Sequence, residues 1–463
     1  MFCFKLRWRS ITFLLFGCTI IWCFVFDLFI VKSISAEFFN YFQNHETPSH
    51  LKNLFIKAPI LEERLFLIDR RILQLYQDEE SRRSGRDSSC IFCKSRKNQP
   101  ITFALLCPTN TSLEEHVLLP ILKAWEIGFW VENIISSKPK RFSTYHANLP
   151  LGFILQKGRG AVIVEIALLH EREGDFWWHG SFYQDVEYKS KFSNLGIMNI
   201  KNNLVLSEEG ALDKFQFKST IIDDIKVNVP KNIPLFLKDS SSFIECNYEV
   251  AHKFHQTYGK DTTPKALKFV HKARKILSTA KTVLDQLEIP FWISSGTLLG
   301  YYRQCDVIPY SRDVDIGVFI KDYNEKLIER FKSAHMKLIH QFGRISEGFE
   351  LSFSLNEIKL DIFFFYDDGV HFWNGGHQIY KKNKTSFGAY KYKYTFPKFT
   401  LCWTEFLDMK VRIPCQTETY IKANYGPDWF IPVPKWSWVD SPFNVQKMGE
   451  WKSEEIKEVI KIF

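Results

Sequence analysis

An apolar strand carrying two aspartates on one face constrains this chain more than any other feature. In the stretch Phe291–Ile320 (FWISSGTLLGYYRQCDVIPYSRDVDIGVFI), an apolar segment, a small-residue turn and a polar middle lead to Asp313 and Asp315, the latter embedded in VDIGVF. Side chains alternate along a strand, so both acids point to the same side. A second apolar run, KLDIFFFY from Lys359 to Tyr366, holds Asp361 between Leu360 and Ile362. Carboxylates this close repel one another, and the pattern calls for a counter-cation. Asp313, Asp315 and Asp361 on neighbouring strands predict an oxygen cage for one or two Mg²⁺ ions, with Mn²⁺ as a substitute. Such a cage neutralises a diphosphate and activates a hydroxyl for in-line attack at phosphorus.

The turn that precedes the first aspartate supplies the other half of a phosphate site. Ser294, Ser295, Gly296 and Thr297 open the helix LLGYYRQ, and free N–H groups at a helix start suit an anion. Ser295, Gly296 and Thr297 are therefore donor-binding candidates. Tyr302 and Arg303 follow at the helix end, where an arginine either clamps a phosphate or caps the helix. A lone D-x-D is common in solvated turns. Here its apolar flanks, the upstream turn and the downstream Asp361 set it apart.

The surrounding pattern is α/β (α+β). Thr263-Pro264 places a capping hydroxyl before a proline at the first helical turn. Leu267, Val270, Ala273, Ile276, Leu277, Ala280, Val283, Leu284 and Leu287 then recur at steps of three and four, which predicts a long amphipathic helix. Helix followed by strand, turn, helix and strand gives a catalytic domain over 264–463. Upstream, ITFALLC, LGFILQ and AVIVEIALLHE read as strands of an N-terminal α/β domain over 56–255, the last buried on both faces. His170, Glu171 and His179 match no metal-ligand spacing and read as a packing cluster.

The first 55 residues carry a different signal. Lys5, Arg7 and Arg9 precede a 22-residue apolar stretch, Ser10–Val31, long enough for a transmembrane anchor over 10–31. A cytosolic tail (1–9) and a stem (32–55) would complete a type II membrane protein with its bulk in the lumen. A signal peptide cleaved near Ser33–Ala36 is the alternative. Sequons at Asn110 and Asn383 fit glycosylation in that compartment. Of the cysteines beyond the apolar stretch, Cys90 and Cys93 form a C-x-x-C, either half a zinc site or a disulfide-forming pair.

A net charge of +9 over 463 residues, with 45% hydrophobic content, describes a folded protein with a mild bias toward anionic ligands. The tyrosine-laced basic run Lys381–Phe399 reads as a solvated loop and strand or as a lip around an anionic ligand, with no nucleic acid as partner. HFWNGGHQ, from His371 to Gln378, reads as a flexible Gly375-Gly376 turn that either bends the chain or lets Trp373 stack on a base.

SGTLLGYYR, DVDIG, LDIFFF and the closing Tyr425, Gly426 and Trp429 together resemble the LicD family. Many of its members carry a further acid just before the D-x-D, where this chain has Ser311-Arg312. The resemblance implies a nucleotidyltransferase-like catalytic fold and transfer of a phospho-alcohol from its CDP-activated form to a glycan hydroxyl. It is strongest with the branch that moves ribitol 5-phosphate. That branch uses CDP-ribitol as donor and the N-acetylgalactosamine of the phosphorylated O-mannosyl glycan on α-dystroglycan as acceptor, and releases CMP. A Golgi membrane location, other O-mannosyl glycan enzymes as partners, and Asp361 helping to deprotonate the acceptor also follow from the resemblance. A D-x-D glycosyltransferase using a nucleotide sugar, and a non-catalytic scaffold for glycan enzymes, are the rival readings.

Overall fold

The computed structural model describes residues 47–81, 90–92, 100–108, 117–126, 130–135, 140–142, 145–147, 149–156, 162–172, 175–182, 208–238, 242–383, 386–433 and 435–463. Among them, the N-terminal half builds a nine-stranded mixed sheet. Its main path runs Phe217–Ile222, Ile225–Pro230, Phe66–Leu67, Ile101–Cys107, Val162–Arg172, Pro150–Gln156, Trp130–Ile135. The parallel pair Ile101–Cys107 and Val162–Arg172 lies at its centre. Both are near-continuous apolar runs, as strands covered on both faces must be. His170 and His179 are buried within this half, His170 within hydrogen-bond distance of the Pro150 carbonyl.

One expectation is corrected here. No helix among the described residues is long and apolar enough to cross a membrane, and Ser10–Val31, where the anchor was expected, lies outside those residues. Among the described residues the fold is α/β with no membrane-spanning helix, and the type II Golgi placement that rested on one is withdrawn.

The C-terminal half begins with α1 (Pro264–Gln286), capped by the Thr263 hydroxyl, which accepts the Ala266 N–H. Its buried stripe, including Ala273, Ile276, Leu277, Ala280 and Leu284, lies in the core of the C-terminal half. Next come β1 (Phe291–Ile293), α2 (Ser295–Gln304), β2 (Asp313–Phe319) and α3 (Leu327–Ser333). A run of antiparallel strands follows: β3 (Lys337–Arg344), β4 (Glu347–Leu355), β5 (Ile358–Asp367), β6 (His371–Lys381) and β7 (Phe387–Pro397). After a two-stranded hairpin, β8 (Leu401–Phe406) and β9 (Met409–Pro414), come α4 (Thr417–Tyr425) and β10 (Val445–Glu450). A short helix, α5 (Ile456–Val459), and β11 (Ile460–Ile462) close the chain.

The sheet order is β10-β7-β6-β5-β4-β3-β11, and β2 pairs with both β1 and β5. The β2–β5 pair is parallel and sets Asp315 opposite Asp361 and Asp313 opposite Lys359. Gly375 and Gly376 form no turn; they sit inside the 11-residue strand β6. A Cβ at Gly375 would lie 2.5 Å from the Gly348 Cα, so glycine there is a packing requirement.

The two halves are stitched together. Residues 242–244 exchange backbone hydrogen bonds with Trp403 of β8, whose side chain joins the N-terminal core. Arg172 of the N-terminal sheet is buried between Glu245 and Glu405, at 2.9 and 2.7 Å. Lys410 of β9 is fully buried and reaches Asp213 at 2.9 Å. Disulfides join Cys246 to Cys305 and Cys402 to Cys415. Cys90 is disulfide-bonded, which removes it from the zinc alternative; Cys93 lies outside the described residues.

Candidate active site

The edge-to-edge meeting of β2 and β5 produces an acidic cluster. One carboxylate oxygen from each of Asp313, Asp315 and Asp361 lies within 4.8 Å of the others. Asp315 and Asp361 are buried and Asp313 is half-buried. Each is held by a named donor. The Ser311 hydroxyl donates to Asp313 Oδ1 at 2.9 Å, so the residue two places before the first acid orients it. The Gly296 N–H donates to Asp315 Oδ2 at 3.2 Å, and Ser352 on β4 donates to Asp361 Oδ1 at 2.6 Å. Lys359 enters the same space: its ammonium lies 2.6 Å from Asp361 Oδ2 and 3.7 Å from Asp313 Oδ2.

The electrostatics show what this arrangement costs. Burial, then repulsion from Asp313 and Asp361, pushes the Asp315 carboxyl well above the usual carboxylate range. Asp361 is raised by burial as well, against the opposing pull of Lys359 and Ser352. Burial would lower Lys359, but Asp361 and its neighbours outweigh that and hold the ammonium charged. With all three acids ionised, one lysine leaves a deficit of two positive charges, which one divalent ion supplies. Buried, clustered, oxygen-only donors are the set that binds hard divalent cations, so the residues fit a metal cofactor.

The cluster lies in the wall of a cavity of about 740 Å³. Ser295 and Gly296 at the start of α2, Arg303, Gly375, Gly376 and Tyr425 line the same cavity. Ser295 has a left-handed backbone (φ 43°), a strained conformation typical of functional turns. Of the sequence candidates, Thr297 faces inward: its hydroxyl accepts the Asp315 N–H at 2.8 Å and fixes the turn to β2. Tyr302 packs against Trp429, 4.9 Å between ring centroids, and does not line the cavity. Trp373 stacks on Tyr366 at 4.5 Å and is likewise absent from the lining. Arg303 is 2% exposed, packs 4.7 Å from the Phe254 ring, and leaves its Nε without a hydrogen-bond partner. Asn383 is exposed in the turn between β6 and β7, while Asn110 lies outside the described residues.

Two family models match the chain: the fukutin N-terminal domain over residues 42–274 and the LicD/FKTN/FKRP nucleotidyltransferase domain over residues 288–416. The chain is 38% identical to the human ribitol-5-phosphate transferase FKTN over 415 residues, spanning 86% of this chain and 85% of that one. It is 42% identical to the mouse protein of that name over 318 residues, 68% of this chain and 66% of the other. An uncharacterized protein of Caenorhabditis elegans is 30% identical over 202 residues, 41% and 50% of the two chains.

The chain belongs to the fukutin family. Residues 288–416 are a LicD-type nucleotidyltransferase domain, the chain is a metal-dependent phosphotransferase, and the acidic cluster is a set of residues that fits a divalent metal. Several members of the site escaped the sequence reading. Lys359 was legible in principle, since alternation puts it on the face of Asp361. Glu350 and Ser352 on β4, and His340 on β3, become neighbours of the cluster only through the antiparallel register of β3, β4 and β5. Trp436 and Trp438 at the cavity mouth come from an irregular segment after α4 that no periodicity announces.

Proposed function

We propose that the chain transfers ribitol 5-phosphate from CDP-ribitol to a hydroxyl of a glycan acceptor and releases CMP. The acceptor is the N-acetylgalactosamine of the phosphorylated O-mannosyl glycan on α-dystroglycan, and the cation is Mg²⁺. The three-carboxylate cluster, open to a cavity that also receives the start of α2, carries this reading.

Asp313, Asp315 and Asp361 would hold the cation, which when bound neutralises the donor diphosphate and polarises its phosphorus. Ser311, Gly296 and Ser352 keep these carboxylates in place by the hydrogen bonds described above. Lys359 adds a fixed positive charge beside the transferring phosphoryl group, the kind of preorganised stabilisation that operates as charge develops. Ser295 and Gly296 lie beside the donor phosphates, with Thr297 bracing them from behind. Two buried atoms await partners in the cavity wall: Arg303 Nε, a donor for a phosphate oxygen, and Asn374 Oδ1, an acceptor for a base or sugar. Tyr302 supports Trp429 rather than touching the donor. The exposed Trp436 and Trp438 at the mouth offer apolar ring faces to acceptor sugars. Other enzymes of O-mannosyl glycan assembly are the expected protein partners.

Release of CMP by the full-length chain, incubated with CDP-ribitol, Mg²⁺ and a phosphorylated O-mannosyl acceptor peptide, tests the reading. Acceptor-dependent CMP from wild type but not from Asp315→Asn supports it. Turnover of a UDP- or GDP-sugar in place of CDP-ribitol would replace it with the glycosyltransferase reading.

A further inference from the structure

Glu350 is an acid in the cavity wall to which the reading above gives no task. It stands on β4 opposite Phe363, two residues from Ser352, which is opposite Asp361. Glu350 and Asp361 are thus diagonal neighbours on one face of the sheet, with Cα atoms ~7–8 Å apart in such a ladder. Both residues line the same cavity.

The acids of the cluster are otherwise engaged. Both oxygens of Asp361 already accept hydrogen bonds, from Ser352 and Lys359, each at 2.6 Å. Asp313 accepts from Ser311 and Asp315 from Gly296. Among the described residues no hydrogen bond or ion pair holds the Glu350 carboxylate. Asp428, another acid of the lining, is exposed.

We propose that Glu350 is the general base that takes the proton of the acceptor hydroxyl, leaving Asp361 to the metal; the assignment rests on the transferase reading above. The acceptor O–H bond breaks and its proton passes to the Glu350 carboxylate. The oxygen electron pair forms a bond to the ribitol-bearing phosphorus, and the bond from that phosphorus to the CMP oxygen breaks. CMP departs with that electron pair, and the proton leaves Glu350 for solvent. Burial is the largest influence on the Glu350 carboxyl and raises it above the usual carboxylate range, toward the pH at which a general base works best. The titratable groups around it are Asp361 and Lys359 on β5, His340 on β3, His377 on β6 and Tyr394 on β7. His340 is lowered by burial and by Lys359 and His377 by burial, so both favour the neutral form. Lys359 and Asp361 therefore set the local field.

The test compares full-length wild type with Glu350→Gln at saturating Mg²⁺, measuring CMP release across about pH 5–9. Wild type is expected to show an acid limb in kcat. In Glu350→Gln, kcat falls about 10²- to 10³-fold and the limb disappears, while KM for CDP-ribitol stays within about twofold. Glu350→Asp brings the limb back at a reduced rate. A Gln variant that keeps the acid limb, at any rate, overturns the assignment, as does one within about threefold of wild type. An unchanged thermal midpoint and unchanged donor KM separate loss of the base from misfolding. A wild type that makes no CMP from CDP-ribitol overturns the transferase reading first, and this assignment falls with it.

Discussion

Charged groups are buried in both halves of the molecule, and the way their charges add up differs. At the junction of the two sheets, Arg172 meets Glu245 and Glu405, and Lys410 meets Asp213. There each cation is locked by carboxylates at 2.7–2.9 Å, and the acids keep contact with solvent, Asp213 above all. On the face of β2 and β5 three carboxylates meet one lysine, and the cluster opens into a cavity. A buried cation matched by carboxylates that reach solvent is complete within the chain. A buried excess of one sign is complete only with something from outside, and it marks where the ligand goes.

The comparison can be broken at either end. Asp315→Asn or Asp361→Asn should lower CMP release by about 10³-fold or more, equivalent to ~4 kcal/mol of lost transition-state stabilisation, with the fold intact by circular dichroism. Arg172→Met should do the reverse. It strands two glutamates at the junction and costs about 3–5 kcal/mol of stability, read from chemical unfolding, while the folded fraction keeps its kcat. If Arg172→Met abolished turnover at unchanged stability, the division between structural and functional clusters would fail.

Two smaller effects sharpen it. Mg²⁺ at 100 times its dissociation constant should stabilise wild type by ~2.7 kcal/mol, seen as a higher thermal midpoint, and should leave Asp315→Asn unmoved. The pH dependence has a definite sign. The carboxyls of Asp315 and Asp361 titrate above their unfolded values, so the stability they contribute is complete below the unfolded carboxylate pKa of ~4. It is lost as pH rises through the folded values. In chelator, the thermal midpoint should therefore fall as pH rises from that range toward neutrality. Saturating Mg²⁺ should flatten the slope, because the ion binds the ionised form.

How much of this the sequence announced follows from the range of each signal. The α1 stripe, the strand VDIGVF and the run KLDIFFFY are local patterns, and each became the element it predicts. Asp313, Asp315 and Asp361 were legible because an acid in an apolar strand contradicts its surroundings. The Gly375-Gly376 pair misled because glycines commonly mark turns, whereas here they clear space for Gly348 and the cavity. Tyr302 looked like a donor contact from its place on α2, yet the helix turns it toward Trp429. Glu350 and His340 carried no local contradiction at all. Their relation to the metal cluster is a property of strand register, which pairs residues far apart in sequence and leaves no mark at either position. The expected anchor rested on the apolar length of Ser10–Val31 and the basic residues before it, in a stretch outside the described residues.

The hairpin of β8 and β9 has a practical consequence. It belongs to the catalytic half by sequence, yet Trp403 sits in the N-terminal core and Lys410 is paired with Asp213 across the junction. Its far end runs directly into α4, which brings Tyr425 to the cavity. A catalytic fragment cut out near residue 264 would carry that hairpin into water, with an indole and an ammonium group stripped of their partners. Only a polypeptide that keeps both halves together keeps those partners in place.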